Sequence, residues 1–255
     1  MKLPGPDSRF AATLIASPNH GERRSAIDAL VLHYTGMDSG EAALRWLCNP
    51  QSQVSCHYLV GEDGHVLQLV PEARRAWHAG HSSWAGETDM NSRSIGIEIV
   101  NPGHAGGVPD FPAAQISATI ALCRDIVARH GLRPQRILAH SDIAPGRKQD
   151  PGERFPWPDL HAAGVGHLVP AHPVAVGRCL SPGESGPPIK ALQAMLALYG
   201  YGLACSGTYD AETQAVVAAF QRHFRPARVD GIADASTLAT LRGLIAHLPS
   251  GANPG

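Results

Sequence analysis

Short apolar runs rich in branched residues recur through the first part of the chain, separated by segments dense in Gly, Pro, Asn, Asp and Ser. Leu30–Tyr34, Cys56–Val60, Val66–Val70, Ile95–Val100 and Ile137–His140 have the length and branching of β-strands. Glu62-Asp63-Gly64 lies between two of these runs and reads as a hairpin turn. Helical spacing marks Gly40–Leu47 and, more strongly, Ala113–His130. There Ile116, Ile120, Leu122, Cys123, Ile126 and Val127 form a stripe that Gly131 and Pro134 end. Strands interleaved with helices predict a sheet covered by helices, an α/β or α+β domain, over residues 1–160.

The pattern then changes. Residues 161–176 are Ala, Gly, His, Pro and Val without periodicity, which predicts a linker. A second unit is expected over 177–247, with a tail over 248–255. Ile189, Leu192, Leu196 and Tyr199 share one face of a helix that Gly200 stops. An internal echo follows: Gly207 with Asp210 and Thr213, then Gly231 with Asp234 and Thr237. In each copy an aspartate is placed to cap an apolar helix, Ala215–Phe220 and Leu238–Leu244. Three helices in about 70 residues make a bundle near the lower limit for a stable core.

Composition narrows the function. Of 255 residues, 44% are hydrophobic and 17% charged, and the net charge is −1, so no basic footprint for nucleic acid exists. No stretch is apolar enough to span a bilayer. The N-terminus shows no signal-peptide core, so a cytoplasmic location is expected, or a periplasmic one if the N-terminus has been trimmed. A monomer is expected. Five scattered cysteines without a CxxC pair argue against a disulfide framework. Cys56 and His57 are neighbours on a strand and point to opposite faces, which argues against a cysteine nucleophile.

The candidate chemistry sits at the ends of the apolar runs. His33 closes one, and His140 enters the Pro/Gly-rich loop that carries Lys148 and Asp150. Two imidazoles and a carboxylate, with one position left for water, suit a catalytic zinc ion. Taken singly, each is more often a capped or solvated residue than a ligand. Glu98 lies within a strand, where burial would raise its pKa and suit it as a general base; pairing with Arg93 is the plainer alternative. Lys148 can stabilise an oxyanion or simply pair with Asp150. His57 and His78 can line a groove, Arg93 can contact substrate, and Trp84 and Trp77 can stack on a sugar, although tryptophan more often packs in a core.

Five segments carry a specific resemblance: Leu32-His33-Tyr34-Thr35, Ser55–Val60, Ala76–Gly80, Asn91–Glu98 and His140–Gly152. In that order they resemble the type-2 N-acetylmuramoyl-L-alanine amidases, zinc enzymes related to the peptidoglycan recognition proteins. Leu192-Gln193, Gly200-Tyr201, Thr213, Phe220-Gln221 and Asp230-Gly231 resemble a three-helix peptidoglycan-binding module. The resemblance implies a central mixed β-sheet flanked by helices. It implies Zn2+ on His33, His140 and Asp150, with Glu98 as general base and Lys148 as oxyanion stabiliser. The implied substrate is peptidoglycan or a muropeptide, cut between the lactyl group of N-acetylmuramic acid and L-alanine. Cys56 departs from the small residue that relatives often carry there. The family's exported members carry such a module behind a secretion signal, and its recycling members lack the module; this chain has the module without a visible signal.

Overall fold

The computed structural model describes residues 5–174, 177 and 179–248. Among these residues eight strands are present: β1 (Thr13–Leu14), β2 (His20–Glu22), β3 (Ala29–Tyr34), β4 (Tyr58–Val60), β5 (Val66–Gln68), β6 (Arg74–Ala76), β7 (Ser94–Ile99) and β8 (Ile137–Ala139). The helices of the first part are α1 (Gly40–Leu47), α2 (Met90–Arg93), α3 (Ala113–His130), α4 (His140–Ile143) and α5 (Trp157–Ala162). The last three are α6 (Pro187–Tyr199), α7 (Ala211–Phe224) and α8 (Ala235–Ala246).

Six strands form one mixed sheet in the order β1-β5-β4-β7-β3-β8, as the resemblance implies. β3 lies parallel to both β7 and β8, β4 is parallel to β7, and β4 and β5 form the expected antiparallel hairpin. Because side chains alternate along a strand, β3 and β7 each divide between two faces. Leu30 and Leu32 join Ile95, Ile97 and Ile99 beneath α3, whose Ile116, Leu122, Cys123 and Ile126 complete that core. Ala29, Val31 and His33 face the other way, as do Gly96 and Glu98. On that second face, Leu59 and Val100 pack with Ala43 and Leu47 of α1.

The segment expected as a linker is more structured than its composition suggests. α5 runs into it, Val165 is buried in the core beneath α3, and Leu168 and Val169 pack against the helical unit. Residues 175 and 176 of that segment, and 249–255 of the expected tail, lie outside the described residues. In the helical unit Asp210 and Asp234 cap α7 and α8 by accepting from Thr213 N and Thr237 N. The echo includes a pair of glutamines that sequence spacing did not single out. The Gln193 amide accepts from Gly207 N and donates to Thr213 Oγ1, and Gln221 does the same with Gly231 N and Thr237 Oγ1.

The helical unit does not stand apart from the sheet. Val31, Leu138, Trp84 and Ile143 share one apolar cluster with Leu192, Leu196, Tyr201, Phe220 and Phe224. No helix among the described residues is long and apolar enough to cross a membrane.

Candidate metal centre

The parallel register of β3 and β7 sets His33 opposite Glu98. Partners in register point to the same face, so both side chains rise from the sheet near the C-terminal strand ends, where open sheets of this type bind ligands. His140 arrives from β8, but it opens α4 and does not extend the strand, because Asp142 Oδ2 accepts from Ala139 N and turns the chain. The following loop returns Asp150 to the same point, where Ser141 N donates to the Asp150 carbonyl.

Three ligand atoms converge there. His33 Nδ1 lies 2.9 Å from His140 Nδ1 and 3.0 Å from Asp150 Oδ2, and His140 Nδ1 lies 2.9 Å from that same oxygen. All three residues are buried. The surrounding hydrogen bonds assign the tautomers. A backbone carbonyl can only accept, so His140 Nε2 carries the proton it donates to Ala79 O, at 3.1 Å, and Nδ1 is a bare lone pair. Ser94 donates its hydroxyl proton to Met90 O at 2.5 Å, so its oxygen accepts from His78 Nε2. His78 Nδ1 therefore accepts from His33 Nε2, at 3.1 Å, leaving His33 Nδ1 unprotonated as well. Two imidazole lone pairs and a carboxylate oxygen repel one another unless a cation lies among them. This donor set fits a divalent metal, and the outer hydrogen bonds are of the kind that orient metal-bound histidines.

Burial, followed by the adjoining His140 ring, pushes His33 down to about 4, and burial holds His78 well below the ordinary histidine value. Both rings are neutral near pH 7, as ligand and support require. For Asp150 burial works upward, but its contacts with His140 and then His33 outweigh it and hold the carboxyl well below its ordinary range, so it is ionised. Glu98 is pushed well above the usual carboxylate range by burial, then by the charge on Asp150, with Lys148 opposing. Its Oε2 is buried without a hydrogen-bond partner among the described residues.

His140, Asp150 and Glu98 line a cavity of about 610 Å3 with Tyr34, Trp46, Trp77, His78 and Lys148. The far wall comes from α7, through Ala215, Ala218 and Arg222. Asn91 fixes the rim: its side-chain oxygen accepts from His78 N and Ala79 N, and Ala79 O in turn receives His140.

Of the sequence candidates, His33, Trp77, His78, Glu98, His140, Lys148 and Asp150 meet here, and three do not. His57 is fully buried just before β4 and outside the cavity lining, where its Nδ1 accepts from Gly96 N and its Nε2 contacts Arg74 O and the Arg23 guanidinium. Arg93 precedes β7 at the end remote from Glu98 and is held by Asp28 at 2.5 Å and Glu87 at 3.2 Å. Trp84 is 1% exposed and packs edge-on against Tyr199 and Tyr201. Gly200 brings the backbone so close that a Cβ there would sit 2.5 Å from the indole ring. Trp84 is thus a core residue between sheet and helical unit. Trp84→Ala is expected to cost about 3–5 kcal/mol, read as a lower melting temperature, with no selective loss of affinity for a glycan.

Cys56 is buried beside α1, and burial, then the charge on Glu98, raises its thiol well above the ordinary value, consistent with no nucleophilic role. Trp46 and Arg222 line the cavity without having been singled out. Trp46 is on a short amphipathic helix, where its exposure has no sequence signal. Arg222 comes from the other unit, which only the packing places here.

Gly96 gives a direct test of the support beneath His33. An added Cβ would lie 2.4 Å from Cγ of His78 and 2.6 Å from Nδ1 and Cδ2. The ring cannot step aside without breaking its bonds to Ser94 and His33. Gly96→Ala is expected to cost about 1–3 kcal/mol of stability and to weaken metal binding roughly 10–100-fold. Thermal melting and metal titration read the two effects, and unchanged metal affinity would remove His78 from the support of His33.

Comparison with known proteins agrees with this geometry. The N-acetylmuramoyl-L-alanine amidase family matches residues 23–153, and a peptidoglycan binding domain family matches residues 185–241. The N-acetylmuramoyl-L-alanine amidase AmiD of Escherichia coli is 41% identical over 231 residues, covering 86% of this chain and 82% of AmiD. The solved complex of that enzyme with anhydro-N-acetylmuramic acid-L-Ala-D-gamma-Glu-L-Lys superposes with a TM-score of 0.74 at 38% identity, over 89% of this chain and 97% of that one. AmpDh3 of Pseudomonas aeruginosa, solved with anhydromuramic pentapeptide, gives a TM-score of 0.73 at 31% identity, over 98% and 100% of the two chains. The 1,6-anhydro-N-acetylmuramyl-L-alanine amidase AmpD of Enterobacter cloacae is 38% identical over 109 residues, covering 43% of this chain and 56% of AmpD. Matched to the family over residues 23–153 and to AmiD over most of both chains, the chain belongs to the N-acetylmuramoyl-L-alanine amidase family, with an added peptidoglycan binding domain.

Proposed function

We propose that this protein is a zinc-dependent amidase of cell-wall turnover or recycling. It hydrolyses the amide between N-acetylmuramic acid, or its 1,6-anhydro form, and the L-alanine of peptidoglycan stem peptides. The observation that carries this reading is the meeting of three unprotonated donors, His33 Nδ1, His140 Nδ1 and Asp150 Oδ2, beside a cavity that His140 and Asp150 line together with Glu98. The substrates in the AmiD and AmpDh3 complexes support the assignment of the bond. Residues 1–160 carry the chemistry, and residues 177–247 supply contact with peptidoglycan.

His33, His140 and Asp150 would hold Zn2+, which supplies Lewis acidity and makes water acidic enough to attack near neutral pH. Glu98 takes a proton from the attacking water and delivers it to the departing nitrogen. Its buried, unpaired setting raises its proton affinity to a level that suits both tasks. Lys148 places a positive charge beside the carbonyl oxygen as that oxygen gains negative charge. The C–N bond breaks, hydroxide is added to the lactyl carbonyl carbon, and the products are a lactyl carboxylate and a peptide with a free L-alanine amine.

Mass spectrometry of products from a defined anhydromuramyl tripeptide is the test. Release of intact L-Ala-D-γ-Glu-L-Lys, stopped by a chelator and restored by zinc, is the expected result. A cut within the peptide, or cleavage that survives complete metal removal, would sink the proposal.

A further inference from the structure

We propose that Arg222, carried by the C-terminal helical unit, is a specificity residue of the catalytic cavity that binds a free carboxylate of the stem peptide. This rests on the amidase reading above and adds to it: the helical unit would not only hold the wall but would read part of the scissile substrate.

Ala215, Ala218 and Arg222 recur at helical spacing on one face of α7, and all three line the cavity that holds His140, Asp150 and Glu98. Two alanines leave room, and the arginine supplies reach and charge. α7 is pinned in this position from both sides. His223 Nδ1 bonds to Asp142 Oδ2 at 2.7 Å, and the ring stacks on Trp157 at 3.7 Å between centroids. Tyr201 donates to Asp142 Oδ1 at 2.7 Å. Asp142 in turn shapes the turn that carries His140. Arg222 is therefore fixed relative to the metal ligands.

The guanidinium is short of partners. Its Nε is buried and makes no hydrogen bond among the described residues. The carboxylate of Glu153 comes no nearer than 3.8 Å and is itself engaged by His104 at 3.1 Å. A desolvated donor left unpaired is costly, and a carboxylate from the ligand would satisfy it. The planar fork of arginine matches a carboxylate in shape as well as charge. The neighbouring Arg147 is occupied, donating to Ala79 O and His81 O. Lys148 is assigned to the scissile carbonyl.

The ligand of the AmiD complex shows where such a carboxylate arises. A γ-linked D-glutamyl residue keeps its α-carboxylate free, and it follows directly on the L-alanine whose amide is cut. The C-terminal carboxylate of the peptide has the same chemistry at greater distance from the scissile bond.

The test measures binding without turnover. The zinc-loaded Glu98→Gln protein, with and without Arg222→Gln, is titrated calorimetrically with three anhydromuramyl tripeptides: unmodified, amidated at the D-glutamyl α-carboxylate, and amidated at the C-terminus. Loss of the pair is expected to raise Kd by about 10–100-fold. The Arg222→Gln penalty should vanish with one of the amidated ligands, and that ligand identifies the carboxylate. Arg222→Lys should recover part of the affinity, and an unchanged melting temperature checks the fold. An equal penalty on all three ligands, or none on any, overturns the role of Arg222. Failure of the otherwise unaltered enzyme to release the tripeptide would instead overturn the amidase reading, and the Kd comparison would still decide whether Arg222 meets a carboxylate.

Discussion

Asp150→Ala is expected to empty the metal site and abolish measurable turnover. The carboxylate is the only anionic member of the three converging donors, and its Oδ2 lies within 3.0 Å of both histidine nitrogens. Without it, two neutral imidazoles remain, which bind a divalent cation far less well than a closed set of three. The Lewis acidity lost is worth several kcal/mol, on the order of 10^3-fold or more in rate. Elemental analysis after dialysis should show zinc in the unaltered protein and little in the variant. A variant that retained one equivalent of zinc and turned over normally would show that Asp150 is not a ligand.

Glu98→Gln separates the base from the metal. The amide keeps the shape of the side chain, and Glu98 is not among the three converging donors, so zinc content should not change. Turnover should fall by about 10^2–10^4-fold, the usual contribution of a positioned general base. A second readout concerns stability. Burial raises the Glu98 pKa above its ordinary 4.5, so the folded state holds this proton more tightly than the unfolded chain does. The ionised group therefore costs stability as pH rises above that value, and the cost is absent below it. In the metal-free protein, Glu98→Gln should raise the melting temperature at neutral pH and leave it unchanged in strong acid. A lower melting temperature at neutral pH would show that the carboxylate has a favourable partner.

The gain in stability and the loss of rate have one cause. Glu98 is held without a counter-ion on a sheet face shared with Gly96, where an apolar side chain would pack more cheaply. Arg93, the pairing partner that sequence suggested, is committed to Asp28 and Glu87 at the opposite strand end. Catalytic sites commonly hold groups in environments that the fold alone would not favour.

Much of the local structure was legible along the chain. The stripe from Ile116 to Val127 fixed α3 at both ends, Asp210 and Asp234 marked two helix starts, and Glu62-Asp63-Gly64 marked a hairpin. Short edge elements left little trace. β1 has two residues and β2 three, too few for alternation to register, and β6 is rich in arginine. His140 was expected to close a strand but begins a helical turn, because Asp142 reaches back to Ala139 N.

The site divides along the same line. His33, Glu98, His140, Lys148 and Asp150 could be named because each sits in a distinctive local motif. His57 sits in an equally distinctive motif and Trp84 just beyond another, yet one became a strand-edge hydrogen-bond partner and the other core. A motif records that a residue is constrained, and both catalysis and packing constrain residues. Arg222, Asp142, Tyr201 and His223 acquire meaning only once α7 is docked against α4.

The sequence by itself therefore determined the longer strands and helices, the metal-binding residue types and the family, since propensity, periodicity and motif spacing are local properties. Tertiary structure alone decided which histidine nitrogens are bare, which candidates face the cavity and that the helical unit forms one of its walls. Those outcomes depend on strand register and on hydrogen bonds between residues far apart in the chain, and no local pattern encodes either.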